Sequence, residues 1–224
     1  MAAKPVRGEI GLLFAKETNA FDALLSAQGN FETFQQAMWG AYRGFLSAGL
    51  QPDWVNPDDI DGYAVIYAPY PIMWPQALAQ RIEKWVAAGG RLISEACPAD
   101  FGNHGRVGVH QPNFGLDNMF GAQEAHVEFM PDIADRDVIR LGNDTFQCGG
   151  FRQVYTAVGG QVLAQFGDGG PALISHTHGK GATLLVGSHL SAGHFNALEA
   201  GGNGAAPWWR YCADWANITP NVSA

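Results

Sequence analysis

Gly89-Gly90-Arg91-Leu92-Ile93-Ser94-Glu95-Ala96-Cys97-Pro98-Ala99-Asp100-Phe101-Gly102 reads as a helix stop, a short buried strand and a sharp exit loop. In an open α/β sheet, ligands gather where loops leave the carboxyl ends of the strands, so Glu95 and Cys97 are expected on the rim of such a crevice. Residues N-terminal to this stretch build the sheet, and those C-terminal to it first loop away and then return as strands.

Toward the N-terminus, Glu9-Ile10-Gly11-Leu12-Leu13-Phe14 is an apolar run suited to a first buried parallel strand. Residues 15–30 read as a long polar loop. From Asn30, a competent N-cap, Phe31, Phe34, Met38, Ala41, Tyr42 and Phe45 recur at helical spacing, and Gly49 supplies the stop. Residues 51–55 and 63–68 form two further strands, the second ended by Pro69 and Pro71, which cannot continue a ladder. Pro75 opens a helix whose apolar face is Leu78, Ile82, Trp85 and Val86. Apolar rather than alternating strands in this order predict parallel pairing with right-handed crossovers.

Toward the C-terminus, residues 98–121 carry glycines at 102, 105, 108, 115 and 121 and predict a long structured loop ending in a short helix around 117–120. Strand-length runs come next at 126–129, 154–158, 161–166, 172–176 and 182–187, separated by Gly-rich turns, as in hairpins appended to a parallel sheet. The last of them is expected to rejoin the main sheet. Residues 207–215 predict a terminal helix rich in aromatics.

Bulk chemistry narrows the function classes. The 224 residues are 47% hydrophobic and 15% charged, which suits one globular domain over 1–224. A net charge of -8 and a pI near 5.2 offer no basic footprint for nucleic acid or an anionic membrane. No apolar run approaches the roughly 20 residues that span a bilayer, and the first residues lack a signal peptide's apolar core. Cys97, Cys148 and Cys212 are few and far apart, so the reading is a reduced, cytoplasmic protein with no disulfide framework.

Residues 93–102 and 111–122, preceded by Gly40-Ala41-Tyr42-Arg43-Gly44-Phe45 and Asp53-Trp54-Val55, resemble the trimerisation domain of β-galactosidases and related multidomain glycoside hydrolases, over roughly residues 8–219. The resemblance implies a flavodoxin-like, three-layer α/β sandwich of the class I glutamine amidotransferase type, with a mainly parallel sheet and a β-rich C-terminal addition. It implies no activity of its own. In that family the hydrolytic carboxylates lie on a separate (β/α)8 barrel upstream, so the expected role is assembly and the shaping of a neighbouring active site, with the barrel in cis or trans. Trimeric self-association is the expected partner state, and no cofactor is expected.

Three other readings compete. Cys97 after a central strand and His189 after the last one stand where a small amidotransferase-like hydrolase would hold nucleophile and base. Against this, Pro98 has no N–H to build an oxyanion hole, and Glu95 would raise the thiol pKa. His176, His178, His189 and His194 contain enough imidazoles for a metal shell, but the Gly179-Lys180-Gly181 turn places the first two at a hairpin end and no carboxylate visibly pairs with them, so no metal is expected. Glu17, Tyr70, Trp74, Glu95 and His189 at strand ends would line a sugar-sized crevice, as in a carbohydrate-binding module.

The seven tryptophans suggest an interface. Adjacent helical residues point about 100° apart, so Trp208 and Trp209 are not expected to bury on one face. At least one is expected at an edge or against a partner, with Phe101, Phe114 and Phe120 of the 98–121 loop at or near the contact.

Overall fold

At the centre, Arg91–Ser94 (β4) lies parallel between Val65–Ala68 (β3) and Gly181–Val186 (β11), in a computed structural model that describes residues 6–27, 32–129 and 137–219. β3 pairs with Ile10–Leu13 (β1), and β1 with Pro52–Val55 (β2), all parallel. Register aligns Leu12, Tyr67, Ile93 and Leu184 in a row across four strands. Alternation sends that row to one core and Leu13, Ile66, Leu92 and Leu185 to another on the opposite face. A strand buried on both faces needs apolar residues at every position, which is why these runs do not alternate.

The sheet continues beyond β11 as antiparallel strands Pro171–His178 (β10), Gln161–Phe166 (β9), Val138–Leu141 (β6) and Asp144–Gln147 (β7), which among the described residues gives nine strands in the order β2-β1-β3-β4-β11-β10-β9-β6-β7. Ala122–Phe129 (β5) and Phe151–Ala157 (β8) make a separate antiparallel pair. The chain is thus a mixed α/β fold with a parallel half and a β-rich antiparallel half. The expected return of 182–187 to the main sheet is met by β11. The β6–β7 hairpin is new; its signal was Gly142, at φ 59 in the first central position of a two-residue turn.

Helices cover both faces. Thr33–Ser47 (α2), Leu190–Glu199 (α5) and Ala206–Trp215 (α6) pack on the first core, while Gln76–Ala87 (α3) and Leu116–Phe120 (α4) pack on the second. One further helix corrects the polar-loop reading of 15–30: Lys16–Ser26 (α1) is helical through all of its described length. Its buried residues are Thr18 and Asp22, one turn apart, so the inner face is polar and carries no hydrophobic period. Thr18 Oγ1 donates to the Met73 carbonyl (2.8 Å), and the Asp22 carboxylate accepts from Phe34 N–H (3.0 Å), serving as the cap of α2 from another helix. Asn30, expected as that cap, and Phe31 lie outside the described residues.

α5 has no counterpart among the expected elements, because its buried residues include Ser191, Ala192, Gly193 and His194 rather than a stripe of large apolar ones. Small residues are what the packing requires. A Cβ at Gly40 would stand 1.9 Å from the Ser191 carbonyl oxygen, and one at Gly44 only 2.1 Å from the Trp209 ring. α2 therefore presents a smooth side on which α5 and α6 rest.

That seat overturns the expectation for the two tryptophans. Trp208 and Trp209 are both 0% exposed. Trp209 sits edge-on to Phe45 (5.1 Å) and near His194 (5.2 Å), while Trp208 meets Phe146 of β7 (5.7 Å) and donates from Nε1 to Tyr67 Oη (3.1 Å). The expectation assumed one neighbouring surface, but α6 lies in a groove with walls on two sides, so adjacent directions both point inward. Phe120 belongs to the second core as well, whereas Phe101 and Phe114 are half-buried.

Candidate functional site

The carboxyl ends of β3, β4 and β11 bring together Tyr70, Glu95 and His189, three of the five residues expected to line a crevice. Glu95 is 0% exposed and fully used. Its Oε1 accepts from Tyr67 Oη (2.7 Å) and Ser191 N–H (2.6 Å), and its Oε2 from Ser191 Oγ (2.8 Å) and Tyr70 N–H (3.2 Å). Ser191 is in the first turn of α5, so Glu95 holds that helix N-terminus. Burial pushes the Glu95 carboxyl up to about 7, against the pull of these hydrogen bonds. Burial foremost, and then Glu95, lifts the Tyr67 phenol far above its ordinary value. Trp208, Tyr67, Glu95 and Ser191 thus form one buried chain joining α6, β3, β4 and α5.

His189 is 1% exposed and stands with its ring between the edges of Tyr70 (4.8 Å) and Phe151 (5.1 Å). Burial lowers its pKa to about 3, so it is neutral at pH 7 and its 3.9 Å approach to Glu95 Oε2 is not an ion pair. Neither ring nitrogen finds a hydrogen-bond partner among the described residues. The other two expected members lie elsewhere. Trp74 is packed in the second core on the opposite face of the sheet, and Glu17 is in the first turn of α1.

Cys97 occupies a sharp elbow, with φ 62 at Cys97 and φ 60 at Ala99. The elbow's donors are all spent. Glu95 N–H goes to Ala68 O, Ala96 N–H to Ser188 O, Ala99 N–H to Pro71 O and Asp100 N–H to Cys97 O, while Cys97 N–H goes to Gln153 Oε1 (2.7 Å). No N–H there is free to hold an oxyanion. The thiol itself is raised well above its ordinary pKa by burial, then by Asp100 and Glu124. These two carboxylates, and not Glu95 as expected, oppose the thiolate; Glu95 acts on Cys212 instead.

Asp100 and Glu124 belong to a second polar cluster that sequence reasoning missed. Gln153 is its hub: it donates to Glu124 Oε2 (2.6 Å) and accepts from Tyr155 Oη (2.6 Å). Burial and the charge of Glu124 raise Asp100 to about 7. These residues come from the exit loop, β5 and β8, and no sequence spacing links them.

The remaining histidines diverge. His176 Nδ1 meets Met119 O (3.0 Å), His178 Nε2 meets the Glu83 carboxylate (2.7 Å), and His194 Nδ1 accepts from Ala205 N–H (3.2 Å). Among the described residues, no three His, Cys, Asp or Glu side chains gather as a metal site would require.

The fold has counterparts. Over residues 11–201 the chain matches the family described as the β-galactosidase trimerisation domain. A β-galactosidase, BgaB, of Geobacillus sp. (strain Y412MC61) is 25% identical over 199 residues, covering 86% of this chain and 29% of that protein. Among solved structures, a catalytic mutant of Gan42B, a GH42 β-galactosidase of G. stearothermophilus, superposes with a TM-score of 0.81 at 19% identity, covering 97% of this chain and 31% of that one. The β-galactosidase of Bacillus circulans sp. alkalophilus gives 0.77 at 20% identity over 96% and 32%. The chain therefore spans about a third of the length of these relatives. Since the family match covers most of the 224 residues, the chain belongs to the β-galactosidase trimerisation domain family.

Proposed function

We propose that this chain works, as one domain, as a non-catalytic assembly module of a β-galactosidase-like glycoside hydrolase. It self-associates, as a trimer, and shapes an active site carried by a (β/α)8 barrel in cis or trans. The observation that carries the reading is the saturated strand end: Glu95 is buried under four hydrogen bonds and the Cys97 elbow has no free donor. Where a hydrolase of this layout needs an open crevice, this chain spends the same groups on tying α5 and α6 to the sheet.

The finer fold is flavodoxin-like, of the glutamine amidotransferase type. Its support is the parallel order β2-β1-β3-β4-β11, the doubly wound 2-1-3-4-5 arrangement, together with a positive-φ cysteine at the turn after the central strand. The exit loop is the assembly surface: Val107 is 63% exposed and Val109 is 94% exposed, flanking the half-buried Phe101 and Phe114. A reduced, cytoplasmic setting is supported by the burial of Cys97, Cys148 and Cys212. No helix among the described residues is long and apolar enough to cross a membrane.

Light scattering over a range of concentrations tests this. A trimer that dissociates in the double variant Val107→Asp, Val109→Asp supports it, and a monomer at every concentration refutes it. Hydrolysis of glutamine or of a nitrophenyl galactoside that is lost on Cys97→Ala would refute the non-catalytic part.

A further inference from the structure

We propose that the corner formed by Trp39 and Trp54 at the outer edge of the sheet binds a saccharide, stacking one of its pyranose rings against the indoles. Among the described residues, β2 has a neighbouring strand on one side only. Register pairs Trp54 of β2 with Leu12, which turns it to the face that α2 covers. At the rim of that face cover is incomplete. Trp54 is 44% exposed, and Trp39, beside it on α2, is 46% exposed.

Both rings are held in place. Trp54 lies nearly parallel to Phe14 (6.0 Å, 14°), and Phe14 is braced in turn by Phe34 of the first core (5.5 Å). Trp39 stands edge-on to Tyr42 one turn further along α2 (5.7 Å, 82°). Trp39 and Trp54 meet at 5.4 Å with their planes inclined by 62°, so they make a rigid corner and not a flat tile. Rings fixed before a ligand arrives lose little side-chain freedom when it binds. The other tryptophans serve the interior: Trp74, Trp85, Trp208 and Trp209 are buried and Trp215 is half-buried. The two left exposed are the two that touch each other.

Size selects the occupant. A tryptophan carries at most about 250 Å² of surface, so this pair leaves roughly 200 Å² open. Leu46, two turns beyond Trp39 on α2 and 43% exposed, brings the apolar area to roughly 300 Å². A stable protein interface takes about 800 Å² from each partner, which this patch does not supply. One or two sugar rings match it. A pyranose presents an apolar face of C–H groups to an indole while its hydroxyls stay in water, so the stacking area is gained without stripping polar groups. The choice of a sugar over another small amphipathic ligand rests on the glycoside-hydrolase reading above. Because the planes form a corner, the ligand is a soluble chain that can turn one ring into it, and not the flat surface of a crystalline polysaccharide.

The test is a fluorescence titration of the chain with lactose, a soluble β-1,4-galactan and glycerol, with acrylamide quenching and a pull-down on microcrystalline cellulose. Expected are a saturable emission shift and reduced quenching with lactose or galactan, at a dissociation constant on the order of millimolar, and no response to glycerol or cellulose. Trp39→Ala and Trp54→Ala should each weaken binding at least about tenfold, and Trp54→Tyr, which keeps a ring, should retain most of it. Val109→Asp, on the exit loop, should leave it unchanged. Should Trp54→Ala fail to fold, Trp39→Ala decides. No saturable response to either saccharide, or undiminished binding in the folded alanine variants, overturns the proposal. So does loss of self-association in Trp39→Ala or Trp54→Ala, which would make the corner a protein contact. Light scattering on the unmodified chain reads assembly separately: a trimer that binds no saccharide sinks this proposal alone, and a monomer that binds one sinks the assembly reading alone.

Discussion

The Glu95 carboxylate receives both the backbone N–H (2.6 Å) and the hydroxyl (2.8 Å) of Ser191, ninety-six residues further along the chain. This paired attachment to a helix start accounts for a buried acid at the end of the central strand.

Glu95→Gln should destabilise the fold at pH 7 by about 1–3 kcal/mol, since an amide NH₂ must face the Ser191 or Tyr70 donors and leaves a buried donor unpaired. The pH profile separates this from simple packing loss. The folded chain holds the Glu95 proton up to about 7 against an ordinary 4.5, so between those values it binds more protons than the unfolded chain and stability falls as pH rises. The variant loses that downward contribution. Urea unfolding from pH 4.5 to 7.5 measures it, and an unchanged slope contradicts the assignment.

His189 has the opposite sign. Its folded pKa of about 3 lies below the ordinary 6.5, so the unfolded chain binds more protons in that window and stability from this group rises with pH. His189→Phe, which keeps a ring between Tyr70 and Phe151, should gain relative stability as pH is lowered from 6.5 to 4. A variant that loses stability equally at every pH shows that the imidazole has partners.

Gly44→Ala is expected to destabilise despite improving helix propensity. Alanine is worth about 1 kcal/mol over glycine in a free helix. Here its Cβ would stand 2.1 Å from a fully buried Trp209 ring, and overpacking costs about 1–3 kcal/mol or more, so the clash wins. Thermal unfolding decides the sign, and the same substitution at Gly105, where nothing lies within 4 Å but φ is 68, separates clash from backbone strain.

Cys97 should resist thiol reagents in the native chain. Its thiol is buried, raised in pKa and faces Asp100 and Glu124, so alkylation should track global unfolding and accelerate with urea as stability falls. Rapid labelling of Cys97 without denaturant, read by mass spectrometry, would contradict this environment.

The sequence alone was sufficient for whatever depends on local repetition. Two-sided apolar runs marked the parallel strands, helical spacing marked α2 and α3, and the glycine pattern of 98–121 with its short helix was legible, as was the family resemblance. Elements whose buried faces are polar or small were not: α1 turns Thr18 and Asp22 inward, and α5 turns Ser191, Gly193 and His194, so neither shows a hydrophobic period. Of the residues expected to line a crevice, Tyr70, Glu95 and His189 lie together because all three stand at carboxyl ends of neighbouring strands. Trp74 and Glu17 were not with them, since a residue just past a strand end can turn to either face or into the next helix. Only tertiary structure paired Glu95 with Ser191, set Asp100 and Glu124 against Cys97, and buried both Trp208 and Trp209. The physical reason is common to all three: burial and charge environment are set by which distant segments pack together, and α6 finds walls on two sides only after α2, α5 and the β6–β7 hairpin have closed around it.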